Sequence, residues 1–481
     1  MKPTLSLPIK TFLIGTFLFS VLSFKANAQE VITLQKAIDL ALERNLTIKQ
    51  AQFTEALSDE DLKQAKNNQL PNLTAAPQGG FNFGRNIDQS TYQFINQRIL
   101  QFYGNISSQV TLFQGGQLRN QIIQNKLTLD ANKTATTKVK NDLVLNVVTT
   151  FLQVLTNQDL VKASQQQIDI AKLTLDRAQK NFDVGNQTLA DLSQAKAQLS
   201  TADLNYTNAE NQLELSMLTL KQYMEMSPAI DISVEKPDIS KLTDIKTIYD
   251  PQDVLKTALG VNPDVLLAEA QQRTAEQAIK VAKGTYYPTV SLIGQAGSNF
   301  SDAKNTLASA TANGTLTPIG FVQNTQQVVV QPGFTQVFKS NPFFTQLSDN
   351  FNQAIAISLQ IPIFNRFSSR TQVRKAKIQA QNAQVGAQLA RNNLSKIIYQ
   401  AVWDVKAAEK KYQSTMQTYQ ANKEAFNITQ QRFTVGLVNS LDYNTSLTNL
   451  NKSQFDMIEA QYQVIFRSKV IDYYLGNPIT L

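Results

Sequence analysis

Between Gln117 and Val184 the chain carries neither glycine nor proline, and after Gly185 neither returns until Pro228. The later half repeats this: no proline lies between Ile363 and Asn477, and Gly386 is the only glycine between Ile363 and Gly436. Uninterrupted stretches of Gln, Ala, Leu, Lys and Asn favour helix over loop. A helix over about 117–183 spans on the order of 100 Å at about 1.5 Å per residue. Its expected partner, about 188–226, covers only about 60 Å, and a helix over about 34–70 roughly 55 Å. Two short helices stacked end to end match one long helix. A chain of this kind builds a rod or a tube, not a globule.

The helical period agrees. Leu192, Ala195, Leu199, Ala202, Tyr206, Ala209 and Leu213 step by three and four, as a heptad seam does. Val373, Ala376, Ala380, Ala383, Ala387, Ala390, Leu394 and Ile397 do the same with small residues that let helices approach closely. Many outward positions are Gln, Asn, Ser or Thr where a soluble coiled coil would carry Glu and Lys. That fits a wet, weakly charged lining, or a merely polar surface.

The chain also repeats itself. AQKNFDVGNQTLADL at 178–192 matches TQQRFTVGLVNSLDY at 429–443, with Phe182, Val184, Gly185 and Asp191 recurring as Phe433, Val435, Gly436 and Asp442, each 251 positions on. SSQVTLF at 107–113 matches SLQIPIF at 358–364 under the same shift. Further upstream the shift is 217, so that Asn45 meets Asn262 and Pro71 meets Pro288. The 34-residue difference implies an insertion in the second half between Pro288 and Ser358. Two repeats are too few for a solenoid, so duplication with pseudo-symmetry is expected. The repeats are 29–245 and 246–481. The first holds strands at about 72–84 and 102–114, then helices at about 117–183 and 188–226. The second holds strands at about 289–300 and 351–364, then helices at about 366–434 and 439–475.

FNQAIAISLQIPIF, 351–364, alternates strictly: Ile355, Ile357, Leu359, Ile361 and Ile363 point one way, Ala354, Ala356, Ser358 and Gln360 the other. One apolar face fits a half-buried sheet or a lipid-facing barrel strand. Four strands cannot close a barrel alone, and an open edge in lipid leaves backbone groups unpaired. If this is a membrane sheet, several chains must share it. Segments 84–101 and 301–350 then become external loops.

Residues 1–28 carry Lys2 and Lys10, the apolar TFLIGTFLFSVLSF, and Ala26-Asn27-Ala28 before Gln29, the layout of a secretory signal peptide. An uncleaved anchor is the alternative. Without Lys2, Lys10 and Lys25 the formal charge falls from +8 to +5, with the cations scattered among acids, so nucleic acid is a poor partner. The chain has no cysteine, hence no disulfide, thiolate or lipid-modified N-terminal cysteine, and no histidine. Its acidic residues are dispersed along helical patterns with no loop-rich site to gather them. No enzyme and no cofactor or metal site are expected.

The duplicated F-x-V-G-x(5)-D turns, LPN at 70–72, YPT at 287–289, and TLFQGG or PIFNRF at the strand-to-helix joints resemble the outer-membrane efflux, or TolC-like, channels. FNFGRNIDQSTYQF resembles versions from the Bacteroidetes branch. The resemblance covers essentially the whole chain after the signal peptide. It implies a mainly α fold: long antiparallel coiled-coil helices forming a trimeric α-barrel in the periplasm, and four strands per protomer in a 12-stranded outer-membrane β-barrel. It also implies a homotrimer that docks on a periplasmic adaptor and an inner-membrane pump of RND or ABC type. Such a duct passively exports drugs, metals or proteins in multidrug efflux or type I secretion. A secreted trimeric coiled-coil stalk or adhesin without a pore is the competing reading; it leaves the Ile355–Ile363 ladder unexplained.

By that resemblance, Val184, Gly185, Val435, Gly436 and Leu437 form hairpin tips that touch the adaptor. Asp191 and Asp442 fall where the family places tunnel-gate carboxylates, with Phe433 and Phe182 beside them. Thr188 and Asn439, three positions before those aspartates, also spell helix N-caps, so capping and gating both stand open. Some members carry an arginine and a further aspartate where this chain has Val438 and Thr445. Any cation-selective ring should therefore be weaker.

Overall fold

The computed structural model describes residues 30–87, 94–236 and 247–477. Residues 1–28, where the sequence layout predicts a signal peptide, lie outside these residues, as do 88–93 of the FNFGRNIDQSTYQF stretch. In chain order the elements are β1 (Glu30–Ile32), α1 (Leu34–Arg44), α2 (Leu46–Asn67), β2 (Asn72–Asn82), β3 (Arg85–Ile87), β4 (Phe94–Asn96), β5 (Ile99–Gln114), α3 (Gln117–Asp183) and α4 (Leu189–Tyr223). There follow β6 (Ile232–Val234), α5 (Pro251–Val261), α6 (Pro263–Gly284), β7 (Thr289–Ser301), β8 (Asn305–Phe321), β9 (Val328–Ser340), α7 (Phe343–Asp349), β10 (Asn352–Gln360), α8 (Ser368–Thr434) and α9 (Ser440–Leu475). The chain is mainly helical. None of the described helices is long and apolar enough to cross a membrane.

Helix lengths come in pairs. α1 and α5 are each 11 residues, α2 and α6 each 22, and α3 and α8 each 67. The helix expected over 34–70 is in fact two helices, broken at Asn45, and Asn262 breaks the second series in the same way. Each asparagine N–H still donates back, to Ala41 O at 3.0 Å and Ala258 O at 2.8 Å. Each side-chain oxygen then caps the next helix, taking Thr47 N–H at 2.9 Å and Asp264 N–H at 3.0 Å. Both residues are buried, so the break is built in.

The chain divides into two compact units. The first comprises Met1–Ala56, Asp130–Ala270 and Val385–Leu481. Its largest core centres on the middle of α3, where Val147, Val148, Phe151, Leu152 and Leu155 meet Ile48, Leu220, Met224 and Ile232. Full burial of each such side chain is worth about 1.5–3 kcal/mol. The parallel pair β1–β6 closes one side of this core. A polar clamp sits nearby: Asp159 takes Lys236 Nζ at 2.6 Å and the Tyr462 hydroxyl at 2.9 Å. Burial and that carboxylate push the Tyr462 hydroxyl well above its ordinary pKa. The small-residue seam on α8 holds as far as Leu394, but Ile398, not Ile397, is the buried residue of the next turn. A 3.6-residue helix drifts against a strict heptad, and a step of four replaces the step of three.

The second unit, Leu57–Leu129 and Gln271–Gln384, holds an antiparallel four-stranded sheet in the order β10-β7-β5-β2. Cross-strand partners share a face, so the register defines both faces. Rows such as Leu73–Ser108–Gly294–Ile355 and Val110–Leu292–Ile357 make one face apolar. The other carries Thr74, Gln78, Ser107, Gln109, Gln295 and Ser358. No strand of this sheet contains a charged residue. Ile355, Ile357 and Leu359 lie on the apolar face of β10; Ile361 and Ile363 lie beyond its end. Pro362 has no N–H to donate, so the ladder stops although the alternation continues.

Segment 301–350 is not the loop expected from sequence. It forms the long hairpin β8–β9 and the short helix α7. Phe343 of α7 packs against Phe300 and Phe102 at ring-centroid distances of 4.9 and 5.8 Å. Buried Gln346 pairs with the Ser301 backbone, giving Nε2 to its carbonyl at 2.9 Å and taking its N–H at 3.0 Å. The 34-residue excess of the second series corresponds to this hairpin. The first series has only the short β3–β4 pair there.

The α2–β2, β5–α3, α6–β7 and β10–α8 joints lie at one end of the sheet: Thr289 pairs with both Gln360 and Gln114, and Asn72 with Gln109. At the β5–α3 joint Gly115 and Gly116 adopt left-handed backbones, φ 56° and 71°. Their counterparts 251 positions on are Arg366 and Phe367, at φ 56° and 60°. Side-chain-bearing residues held there cost about 1–3 kcal/mol each.

Candidate functional site: two helix–turn–helix ends and one strand face

Both helix reversals use one backbone device. After α3, Gly185 N–H donates to Phe182 O at 2.9 Å and Asn186 N–H to Asn181 O at 2.8 Å. After α8, Gly436 N–H donates to Phe433 O at 3.1 Å and Leu437 N–H to Arg432 O at 2.9 Å. Paired bonds of this kind consume carbonyls left open at a helix end and need a left-handed residue. Gly185 and Gly436 supply it, at φ 76° and 78°. A Cβ at either would meet nothing within 4 Å, so conformation alone demands glycine. Val184, Val435 and Leu437 project from these turns at 68%, 69% and 74% exposure. No described apolar neighbour covers them.

The next helices start with side-chain caps. At α4, the Thr188 hydroxyl takes Asp191 N–H at 3.2 Å while Asp191 Oδ2 takes Thr188 N–H at 3.1 Å and its hydroxyl at 2.7 Å. This is a complete capping box. The Thr188 hydroxyl, the Thr188 N–H and the Ser440 hydroxyl together hold the Asp191 carboxyl below the usual aspartate range. At α9, Asn439 Oδ1 takes Asp442 N–H at 2.8 Å. The Asp442 carboxylate is exposed and accepts no hydrogen bond from a described residue.

The aromatic expectation divides. Phe182 is exposed at 36%, beside the small cluster of Leu175, Ala178, Leu192 and Ala195. Phe433 is half-buried and stacks on Tyr443 at 4.6 Å with 23° between rings, and Phe426 closes on the same tyrosine at 5.5 Å. The Tyr443 hydroxyl lies 3.3 Å from the Thr174 hydroxyl of α3. Tyr443, Phe426 and Ser440 were not anticipated. The seven-residue spacing of Phe426 and Phe433 was a usable signal for the first two; nothing in the sequence pointed to Ser440 reaching Asp191.

The strand face of the second unit is a separate candidate surface. Ile355 and Ile357 are 84% and 71% exposed, and β2 and β10 each keep one unpaired edge among the described residues. Among the described residues no cluster of three or more acidic side chains could hold a metal ion.

The outer membrane efflux protein family matches residues 37–224 and 254–477. The outer membrane efflux protein BepC of Brucella suis is 20% identical over 440 residues, 91% of this chain and 83% of that protein. The outer membrane protein TolC of Vibrio cholerae is 25% identical over 185 residues, 38% of this chain and 42% of its own length. TolC of Escherichia coli is 22% identical over 346 residues, covering 70% of this chain and 61% of that one. Among solved structures, CusC aligns with a TM-score of 0.74 at 13% identity over 92% of each chain. The outer membrane protein VceC of Vibrio cholerae aligns at 0.72 and 16% identity, over 93% of this chain and 97% of that one.

Proposed function

Because the chain belongs to the outer membrane efflux protein family, we propose that it is the exit duct of a tripartite efflux or type I secretion system. It is a protein of the outer membrane, and its helices extend into the periplasm. Three copies pool their strands into a 12-stranded barrel and their helices into a tunnel. An inner-membrane pump of RND or ABC type and a periplasmic adaptor deliver the cargo, which passes without an energy source in the duct itself.

One observation carries this reading: an uncharged four-stranded sheet with one apolar face and two open edges. In hydrocarbon each unpaired backbone group costs several kcal/mol. Pairing β2 of one copy with β10 of the next removes every edge. Ile355, Ile357 and Leu359 then face lipid, with Ile361 and Ile363 at its margin, while the Gln, Ser and Thr face lines the lumen. A stalk without a membrane segment has no use for such a sheet.

The exposed Val184, Val435 and Leu437 beside Gly185 and Gly436 meet the adaptor. Asp191 and Asp442, with Phe182 and Phe433, form the constriction. Capping and gating are compatible at Asp442, whose carboxylate is free to face the lumen, and less so at Asp191. The test is single-channel conductance in planar bilayers, wild type against Asp191→Ala with Asp442→Ala. A small wild-type conductance that rises in the variant supports a duct closed at the turns. Equal conductances reduce both aspartates to helix caps. No conductance from folded, inserted protein removes the duct.

A further inference from the structure

The joint between β10 and α8 differs sharply from its counterpart between β5 and α3. Arg366, Arg370, Arg374, Lys375 and Lys377 crowd the start of α8, all exposed. From Phe351 to Trp403 the sequence holds no aspartate or glutamate. No salt bridge among the described residues involves any of the five. The matching stretch of α3 offers only Arg119 and Lys126. Lys280 and Lys283, exposed at the end of α6, add to the same end of the sheet.

These cations do not serve the helix. The positive end of the helix dipole opposes cations in the first turns, and α8 has no acidic residue there. Nor does the backbone favour them, since Arg366 and Phe367 hold left-handed conformations where the first joint has glycines. Apolar and aromatic side chains share this level: Tyr286, Tyr287, Phe364 and Phe367 are exposed at 50%, 56%, 71% and 61%. Phe364 and Phe367 make an edge-to-face pair at 5.5 Å. Aromatic rings beside long cations are what the boundary of a bilayer selects.

Geometry sets the reach. The headgroup layer is roughly 5–8 Å thick on each side. Arg366 and Arg370 fall within about 6 Å of the helix start, and Lys377 lies roughly 14 Å along it. Helical side chains lean toward the N-terminus, so every cation on α8 leans back toward the strand ends. The apolar sheet face runs directly into this belt.

We propose that this belt binds anionic phospholipid headgroups in the periplasm-facing leaflet, anchoring the barrel at that depth. The proposal rests on the outer-membrane reading above. It needs a negative partner for at least five cations, and a leaflet containing phosphatidylglycerol supplies a continuous one at the right level.

The test uses full-length protein reconstituted in phosphatidylcholine with a trace of spin-labelled phosphatidylglycerol or spin-labelled phosphatidylcholine. Electron paramagnetic resonance reports which lipid is held at the protein surface. Wild type should prefer phosphatidylglycerol roughly fivefold, the equivalent of about one cation's attraction, and lose the preference in high salt. The variant with Arg366, Arg370, Arg374, Lys375 and Lys377 all changed to Gln should lose most of that preference, Lys280 and Lys283 accounting for what is left. A matched variant with the three arginines changed to Lys should keep it, which controls for misfolding. Equal preference in wild type and the Gln variant overturns the proposal and leaves the cations to an acidic protein surface. Absence of any immobilised lipid around wild type sinks the membrane reading itself.

Discussion

The two helix–turn–helix ends share a backbone and differ in what holds them. The first is held by polar groups: a complete capping box at Thr188 and Asp191, over a thin layer of Leu175, Ala178, Leu192 and Ala195. The second has a one-sided cap at Asn439 but an aromatic layer of Phe426, Phe433 and Tyr443 beneath it. That layer also reaches α3 through Ile170 and Thr174. One end is fastened at its rim and the other at its base. A fastened rim resists splaying of the turn, whereas a fastened base leaves the rim free to move over a rigid support. The free Asp442 carboxylate sits on the freer rim. If the proposed duct is gated at these turns, the second turn is the one expected to move.

The sharpest way to break this comparison is to remove the base. Tyr443→Ala should cost about 3–5 kcal/mol of local stability, through lost burial and the lost stack on Phe433. Leu192→Ala, at the equivalent position of the first end, should cost about 2–3 kcal/mol, its neighbours being small. Hydrogen exchange of the turns flanking 185 and 436 reads both. Equal losses at the two ends would erase the distinction. The caps should respond in the opposite order. Thr188→Ala removes both bonds of its hydroxyl, leaving the Thr188 N–H to Asp191 bond, and should cost about 2 kcal/mol at the first turn; Asn439→Ala removes one bond and should cost about 1 kcal/mol at the second. A larger effect at 439 would show that the box contributes less than its geometry implies.

The two ends are also coupled, since the Ser440 hydroxyl helps to lower the Asp191 pKa. A double-mutant cycle on Ser440→Ala and Asp191→Asn should give a coupling of about 0.5 kcal/mol, measured as exchange at the first turn. Additive effects would mean that the ends move independently.

Much of this was legible in the sequence where physics is local. Missing glycine and proline announced α3 and α8, and a glycine after Phe-x-Val announced each turn. Thr188 and Asn439 before an aspartate announced the caps. Where the outcome depended on distant partners, the sequence was silent. Asn45 and Asn262 were visible as a repeated pair, yet their role as helix breaks rests on side-chain bonds that propensity does not encode. The β8–β9 hairpin read as loop because Pro318, Pro332 and many small residues weaken the strand pattern; a two-stranded ribbon tolerates prolines at unpaired edges. Ile361 and Ile363 kept the alternation after Pro362 had ended the ladder. Ser440 meets Asp191 across 249 positions, and no periodicity predicts that.

The smallest expected effect isolates the rim of the first end. Hydrogen bonds from Thr188 and Ser440 lower the Asp191 pKa in the folded chain. A carboxylate lowered in this way adds stability that is fully present above its unfolded pKa, about 3.9, and is lost as pH falls through the folded value. Protection of the first turn of α4 should therefore be flat from neutral pH down to about 4 and decline below it. Asp191→Asn keeps an acceptor but cannot ionise, so its protection should start slightly lower and show no such decline. Ser440→Ala, by removing one of the lowering bonds, should leave the onset near pH 4 but make the decline smaller and complete it at a higher pH than in wild type. Decline at the same pH in wild type and Asp191→Asn would assign the acid response to another carboxylate and leave Asp191 a cap whose charge is immaterial.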